Sequence, residues 1–169
     1  MKKLSLTVVL AFAVASPAFA GDGPVYGGIS IGPSTIASFS TTAAGVFAGY
    51  KLNNVKVTGM ETLALEGQYT SLGSDGYGDN FSSIGVDAVA LFPIKSVQNL
   101  SVFGKLGINS ISGNFSCGRF CSYTSSSSLV FDLGFGAQYK LSREFSVRAG
   151  YQYYDSNFDA VYVAGVYNF

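Results

Sequence analysis

Histidine is absent from the 169 residues, and that absence excludes a great deal of chemistry. A serine nucleophile activated by imidazole and an Asp-His centre are both impossible, and a metal site loses its commonest ligand. Ser-Lys catalysis stays formally open, with no signature pointing to it. Tryptophan is absent too, and charged residues make up only 12% of the chain, about half the usual share of a soluble domain. Beyond residue 20 no apolar run approaches the roughly 18 residues that a spanning helix needs.

The chain does hold 48% hydrophobic residues, 21 glycines, 11 tyrosines and 14 phenylalanines. Its first 20 residues read as a secretory signal peptide. Lys2 and Lys3 form the basic n-region, Leu4 to Ala15 the apolar h-region, and Ala18-Phe19-Ala20 the small-residue cleavage site. The mature chain is then expected to begin at Gly21 and to form a single domain over residues 21–169. Removing Lys2 and Lys3 from the 10 basic residues leaves 8 against 10 acidic ones, a net charge of −2. That balance gives no argument for nucleic acid.

Parity carries the fold. From 129 to 139 the odd positions are Leu129, Phe131, Leu133, Phe135, Ala137 and Tyr139, while the even ones include Asp132, Gly134, Gly136 and Gln138. After the polar turn Lys140–Glu144 the odd positions are again apolar: Phe145, Val147, Ala149, Tyr151 and Tyr153. A last run places Val161, Val163, Gly165, Tyr167 and Phe169 on one face. Strict period-2 alternation over about ten residues marks a strand whose two faces meet different surroundings. The apolar face carries no charge, so the outside is the oily side. Five earlier runs alternate in the same way, near Val25–Gly32, Ala43–Leu52, Glu61–Ser71, Ser82–Phe92 and Leu100–Asn109.

An export signal, few charges, no helical span and eight alternating runs predict an all-β fold, an eight-stranded antiparallel up-and-down transmembrane β-barrel in a bacterial outer membrane. A ten-residue strand tilted by about 45° covers roughly 23 Å of bilayer. The connections then sort into external loops at Ser34–Thr42, Leu72–Phe81, Ser110–Ser128 and Asp155–Phe158, and periplasmic turns at Asn53–Met60, Pro93–Asn99 and Lys140–Glu144. The last external loop reads as short and the first periplasmic turn as long, against the usual asymmetry. Misplaced strand ends are the first explanation for that.

The segment Gly134-Phe-Gly-Ala-Gln-Tyr-Lys-Leu-Ser-Arg-Glu-Phe-Ser-Val-Arg-Ala-Gly-Tyr-Gln-Tyr-Tyr154 resembles the penultimate hairpin of the small outer-membrane barrels. These are the OmpA/OmpX-like and opacity-type proteins of the porin-like barrel group. Leu65-Glu-Gly-Gln-Tyr69 and Phe103-Gly-Lys-Leu-Gly107 are similar to that family's middle strands, and the resemblance spans the mature chain. One departure is Gly150, where the family often has a lumenal Glu. The resemblance implies lumenal salt bridges that plug the barrel, while a periplasmic peptidoglycan-binding domain is not expected, since the sequence ends with the last strand at Phe169. It also implies that Tyr167 and Phe169 serve as the C-terminal signal read by the barrel assembly machinery, with periplasmic chaperones on the way.

Charged residues within the strands fall on the inward face: Glu66, Asp87, Lys105, Asp132 and Arg148, with Lys51 near a rim. An eight-stranded lumen is just wide enough for side chains to fill, so these groups are expected to pair, Glu66 and Asp132 against Lys105 and Arg148. They read either as a polar plug or as a narrow ion path. The plug is preferred, and neutralising Arg148 is then expected to destabilise the barrel or open it. Cys117 and Cys121 flank Gly118-Arg119-Phe120 in the longest loop. In an exported chain such a pair reads as a disulfide. It either staples the loop or also presents Arg119 and Phe120 to a ligand; thiols for redox or metal binding come third. Tyr50, Tyr69, Phe92, Tyr139, Tyr153, Tyr167 and Phe169 suit the two interfacial girdles.

These readings lead to a non-enzymatic outer-membrane protein, monomeric and without cofactor, that supports the envelope and displays surface loops. Its expected partners are outer-membrane lipid and a surface ligand at the loops. A low-conductance pore and an adhesin or binding module are the alternatives. A soluble periplasmic ligand-binding barrel is disfavoured, because its outer face would be polar.

Overall fold

The computed structural model describes residues 23–36, 39–52, 58–74, 79–115, 124–155 and 158–169. Eight strands follow one another: β1 (Val25–Ile36), β2 (Phe39–Lys51), β3 (Thr62–Ser74), β4 (Asn80–Pro93), β5 (Leu100–Phe115), β6 (Thr124–Lys140), β7 (Phe145–Asp155) and β8 (Phe158–Asn168). Each pairs antiparallel with its neighbours in sequence, and β1 pairs with β8, so the sheet closes into a barrel. Closure removes the edges that would leave backbone groups without partners in lipid. The last ladder runs to the C-terminus, where the Phe169 N–H donates to the Val25 carbonyl.

The outer face is the oily one. Leu129 and Phe131 are 72% and 73% exposed, and Ile29, Ile31, Ile84, Val86, Leu106, Phe135 and Val163 are exposed with them. Phe145 and Tyr167 stack edge to face at 5.0 Å, and Tyr167 meets Phe169 at the same distance, on the periplasmic rim. Tyr50, Phe92 and Tyr139 join them at that end, whereas Tyr69 and Tyr153 face outward near the other.

Several strands run further than the alternation predicts. β1 and β2 continue to Ile36 and Phe39, so most of Ser34–Thr42 is ladder and not loop. The segment Ser110–Ser128 likewise holds paired ends of β5 and β6 up to Phe115 opposite Thr124. The physical reason is the change of solvent. Above the bilayer the outer face of a strand meets water, so Ser40, Thr42, Ser82 and Ser127 replace the outward apolar residues while the inner face stays buried and the hydrogen-bonded ladder continues. Periodicity stops there; pairing does not.

The unusual turn lengths are real. β2 ends at Lys51 and β3 begins at Thr62, a long periplasmic connection, whereas only residues 156–157 separate β7 from β8. Misplaced strand ends therefore do not account for the asymmetry. Between β3 and β4 the register shifts between Ser71 and Gly73. Gly73 takes φ +99, and a Cβ there would stand 2.2 Å from Thr41 Oγ1. Only glycine fits that bulge.

The core is the lumen, and it is layered. At the external end Ile36, Leu72, Ile111 and Tyr154 form an apolar stopper, with Phe81, Val130 and Phe158 against it. A polar belt follows. Below it Val89, Leu91, Phe103, Tyr162 and Ala164 pack with Phe47, and Tyr26, Ala64 and Val166 lie on its other side.

Candidate functional site

The polar belt is assembled by parity from six strands. β3 supplies Glu66 and Gln68, β4 Ser83 and Asp87, β5 Lys105 and Asn109, β6 Asp132 and Gln138, β7 Arg148 and Gln152, and β1 Tyr26, all buried. Glu66 is the hub. Its Oε2 accepts from Arg148 Nη1 at 2.7 Å and from the Tyr26 hydroxyl at 2.9 Å, and its Oε1 accepts from Lys105 Nζ at 2.9 Å. One carboxylate thus ties four strands, with partners up to 82 residues away.

Arg148 is 2% exposed and completes its shell with aromatic rings. Its Nε donates to Gln138 Oε1 at 3.1 Å. The guanidinium carbon lies 5.1 Å from the Phe103 ring centroid, 5.2 Å from Phe47 and 5.8 Å from Tyr26. Each such contact contributes up to about 2 kcal/mol when water is excluded. Rings and carboxylate together replace the hydration that burial removes.

Asp132 departs from its expected role. It makes no ion pair among the described residues. Its Oδ1 accepts from Asn109 Nδ2 at 2.7 Å and its Oδ2 from Gln152 Nε2 at 2.5 Å. The cation Lys105 turns instead to Asp87, with Nζ 2.9 Å from Oδ2 at an angle that makes an ion contact and not a hydrogen bond. Neighbouring amides decide this. Asn109 also accepts from Ser83 at 2.8 Å and from Gln68 at 3.3 Å, so it bridges the two aspartates as a donor and the uncharged belt as an acceptor.

The expectation thus brought Glu66, Asp87, Lys105, Asp132 and Arg148 to one face, and the structure gathers them around Glu66 and Asn109. Tyr26, Phe47, Gln68, Asn109, Gln138 and Gln152 were not singled out. Their strand parity carried the signal, because uncharged inward residues in so narrow a lumen must also be satisfied. Cys117, Cys121, Arg119 and Phe120 lie outside the described residues.

Little space is left. The void inside the belt, bordered by Glu66, Lys105, Arg148 and Tyr162, measures about 20 Å³, room for roughly one water. The periplasmic mouth opens into a larger hollow, about 300 Å³, whose wall includes Lys51, Glu61, Lys140 and Arg143 and reaches Tyr26, Gln138 and Arg148 of the belt. The departure at Gly150 follows from the same crowding. A Cβ there would come within 2.7 Å of Phe103 Cζ and 3.1 Å of Tyr162 Cζ, so aromatic rings hold the place of the family's lumenal carboxylate.

At the mouth, Glu61 accepts from Lys140 and, at 2.6 Å, from the Ser101 hydroxyl. Burial pushes its carboxyl up, but those bonds and the charges of Lys140 and Lys51 outweigh it and hold it below the ordinary 4.5. A depressed folded value means stability that is present above the ordinary carboxylate range and lost as pH falls through the lower one. Glu61→Gln is therefore expected to melt below the wild type at pH 7 and together with it at pH 2. Parallel thermal scans check this, and an equal gap at both pH values would refute it.

A closed eight-stranded barrel with an apolar exterior, aromatic girdles and a filled polar lumen defines an integral outer-membrane barrel protein. Residues 4–169 match the family described as outer membrane protein beta-barrel domain, and the chain belongs to that family. No curated protein matches it. Neisserial surface protein A is similar in structure, with 14% identity, TM-score 0.62 and coverage of 86% of this chain and 96% of that one. The N-terminal barrel domain of Pseudomonas aeruginosa OprF has 15% identity, TM-score 0.63 and coverage of 87% and 98%. The outer membrane enzyme PagL also shares the fold, with 15% identity, TM-score 0.56 and coverage of 85% and 99%. At these identities the likeness concerns the fold alone.

Proposed function

We propose that this barrel is a closed, non-enzymatic structural protein of the outer membrane, supporting the envelope and exposing its external end, and that it conducts no ions. The observation that carries the reading is the filled lumen, with a void of about 20 Å³ between two apolar layers. The fold does not decide against catalysis, since PagL is an enzyme. The reading of a non-enzyme is supported by a chain with 0 histidines. Cleavage after Ala20, recognition of Tyr167 and Phe169 by the assembly machinery after escort by chaperones, and a Cys117–Cys121 bridge presenting Arg119 and Phe120 belong to the same proposal. A mass increase of two hydrogens on reduction of the purified protein tests the bridge; an unchanged mass overturns it.

Planar-bilayer conductance tests the closed state. The wild type is expected to be silent. Arg148→Ala is expected to stay silent too, because the external stopper is intact, which divides the earlier expectation of destabilisation or opening. Adding Leu72→Ser and Ile111→Ser to Arg148→Ala is expected to give openings. Steady channels in the wild type would replace this reading with a small pore whose lumenal charges select ions.

A further inference from the structure

Two side chains at the floor of the periplasmic hollow carry hydrogen-bond donors that the barrel does not use. Arg148 has five N–H donors in a planar fork. Its Nη1 serves Glu66 and its Nε serves Gln138 Oε1, whereas Nη2 has no acceptor among the described residues. Gln138 is its cross-strand neighbour on β6. That residue is 7% exposed and spends Oε1 on Arg148, and its Nε2 also has no partner among the described residues. Neither nitrogen is sealed from solvent, and the hollow is the space that both side chains border.

The carboxylates nearby are already engaged. Glu66 accepts from Arg148, Tyr26 and Lys105, and Glu61 at the rim accepts from Lys140 and Ser101. Lys51 is engaged too, through Gly23. Arg143 differs from these. It lies on the turn after β6, exposed on the wall of the hollow, and makes no ion pair among the described residues. The hollow thus combines two buried donors at its floor with an uncommitted cation at its rim.

Size and lining narrow the ligand. About 300 Å³ stands at the lower end of small-molecule sites. Two neighbouring N–H donors, one of them from a guanidinium, match the two oxygens of a carboxylate. Between floor and rim the wall includes Ala64, Leu91 and Val166, which suit methylene groups. Gln138 and Lys140 stand about 7 Å apart along β6, and Arg143 follows on the turn. A short carbon chain spans that separation; a compact inorganic anion does not.

We propose that the periplasmic hollow binds a small aliphatic dicarboxylate, one carboxylate on Arg148 and Gln138 and the other on Arg143. The site is separate from the question of conduction, because calorimetric binding reads it whether the lumen is silent or open. The test titrates succinate, glutarate, adipate and pimelate at constant ionic strength into the refolded protein in phosphatidylcholine nanodiscs. One chain length is expected to bind best, at least about tenfold tighter than its diamide. Gln138→Glu keeps the acceptor for Arg148 Nε and replaces the donor with a negative charge. It is expected to weaken the dicarboxylate at least about tenfold.

Arg143→Gln decides the matter even where Gln138→Glu fails to fold, since an exposed turn residue tolerates the change. It is expected to weaken the dicarboxylate about three- to tenfold while leaving the monocarboxylate valerate and the urea midpoint unchanged. A merely structural role for Arg143 would not separate the two ligands. Equal binding of dicarboxylate and diamide, or no binding of either, overturns the proposal. So does inorganic phosphate binding as tightly as the best dicarboxylate, which would mean that the basic rim attracts anions without a shaped site. Equal loss of valerate and dicarboxylate in Arg143→Gln would overturn the two-ended grip.

Discussion

Glu66→Ala should unfold at markedly lower denaturant than the wild type, with a loss of about 3–5 kcal/mol, the range for breaking a buried ion pair from one side. The substitution strands more than one group. Arg148 loses its carboxylate, Tyr26 its acceptor and Lys105 one of two anions. All three are buried, although Tyr26 and Arg148 border the periplasmic hollow, so water offsets little of what the carboxylate supplied. With 0 tryptophans, far-ultraviolet circular dichroism during urea unfolding in lipid is the appropriate readout. The partner variant Glu66→Leu with Arg148→Met is expected to recover at least half the loss, because an apolar pair needs no compensation. A Glu66→Ala midpoint within error of the wild type would show that the hub is ornamental.

Gly150→Glu should prevent assembly or cost roughly 3 kcal/mol or more, because it adds overpacking to the burial of a charge. The change supplies the lumenal Glu of the resembled pattern, so a resemblance argument would call it mild. The geometry says otherwise: Phe103 and Tyr162 already occupy the space that a side chain at 150 would enter. The steric cause has its own check. Phe103→Ala combined with Gly150→Glu is expected to fold better than Gly150→Glu alone, measured as the folded fraction by heat-modifiable gel mobility. An equally poor yield would locate the problem in the charge.

Gly150 also shows how far a motif reaches. Its neighbours Arg148 and Gln152 alternate as the family pattern requires, and that alternation placed all three on the inward face. Which rings cross the lumen to meet them could not be read from β7, because Phe103 comes from β5 and Tyr162 from β8. The Asp132 partners are a similar case. Charge counting paired Asp132 with a cation, whereas two amides, Asn109 and Gln152, reach it first.

The heights of β5 and β6 mark another boundary. The alternating run on β6 begins at Leu129, yet the strand begins at Thr124. Hydrophobic periodicity reports the bilayer, and a ladder in water leaves no such trace in Ser125–Ser128. The rise of β6 above its pairing with β7 therefore appears only when both strands are in place.

By itself the sequence determined the class: outward apolar and inward polar residues on eight short runs are a local, two-solvent pattern that each strand carries alone. It also determined which charges face inward, since parity is a property of one strand. Only the tertiary structure decided that Glu66 is the hub, that Arg148 is caged by rings from β1, β2 and β5, and that β6 pairs further with β5 than with β7. Those outcomes depend on the stagger between strands around the closed barrel, and stagger is set by all eight pairings together.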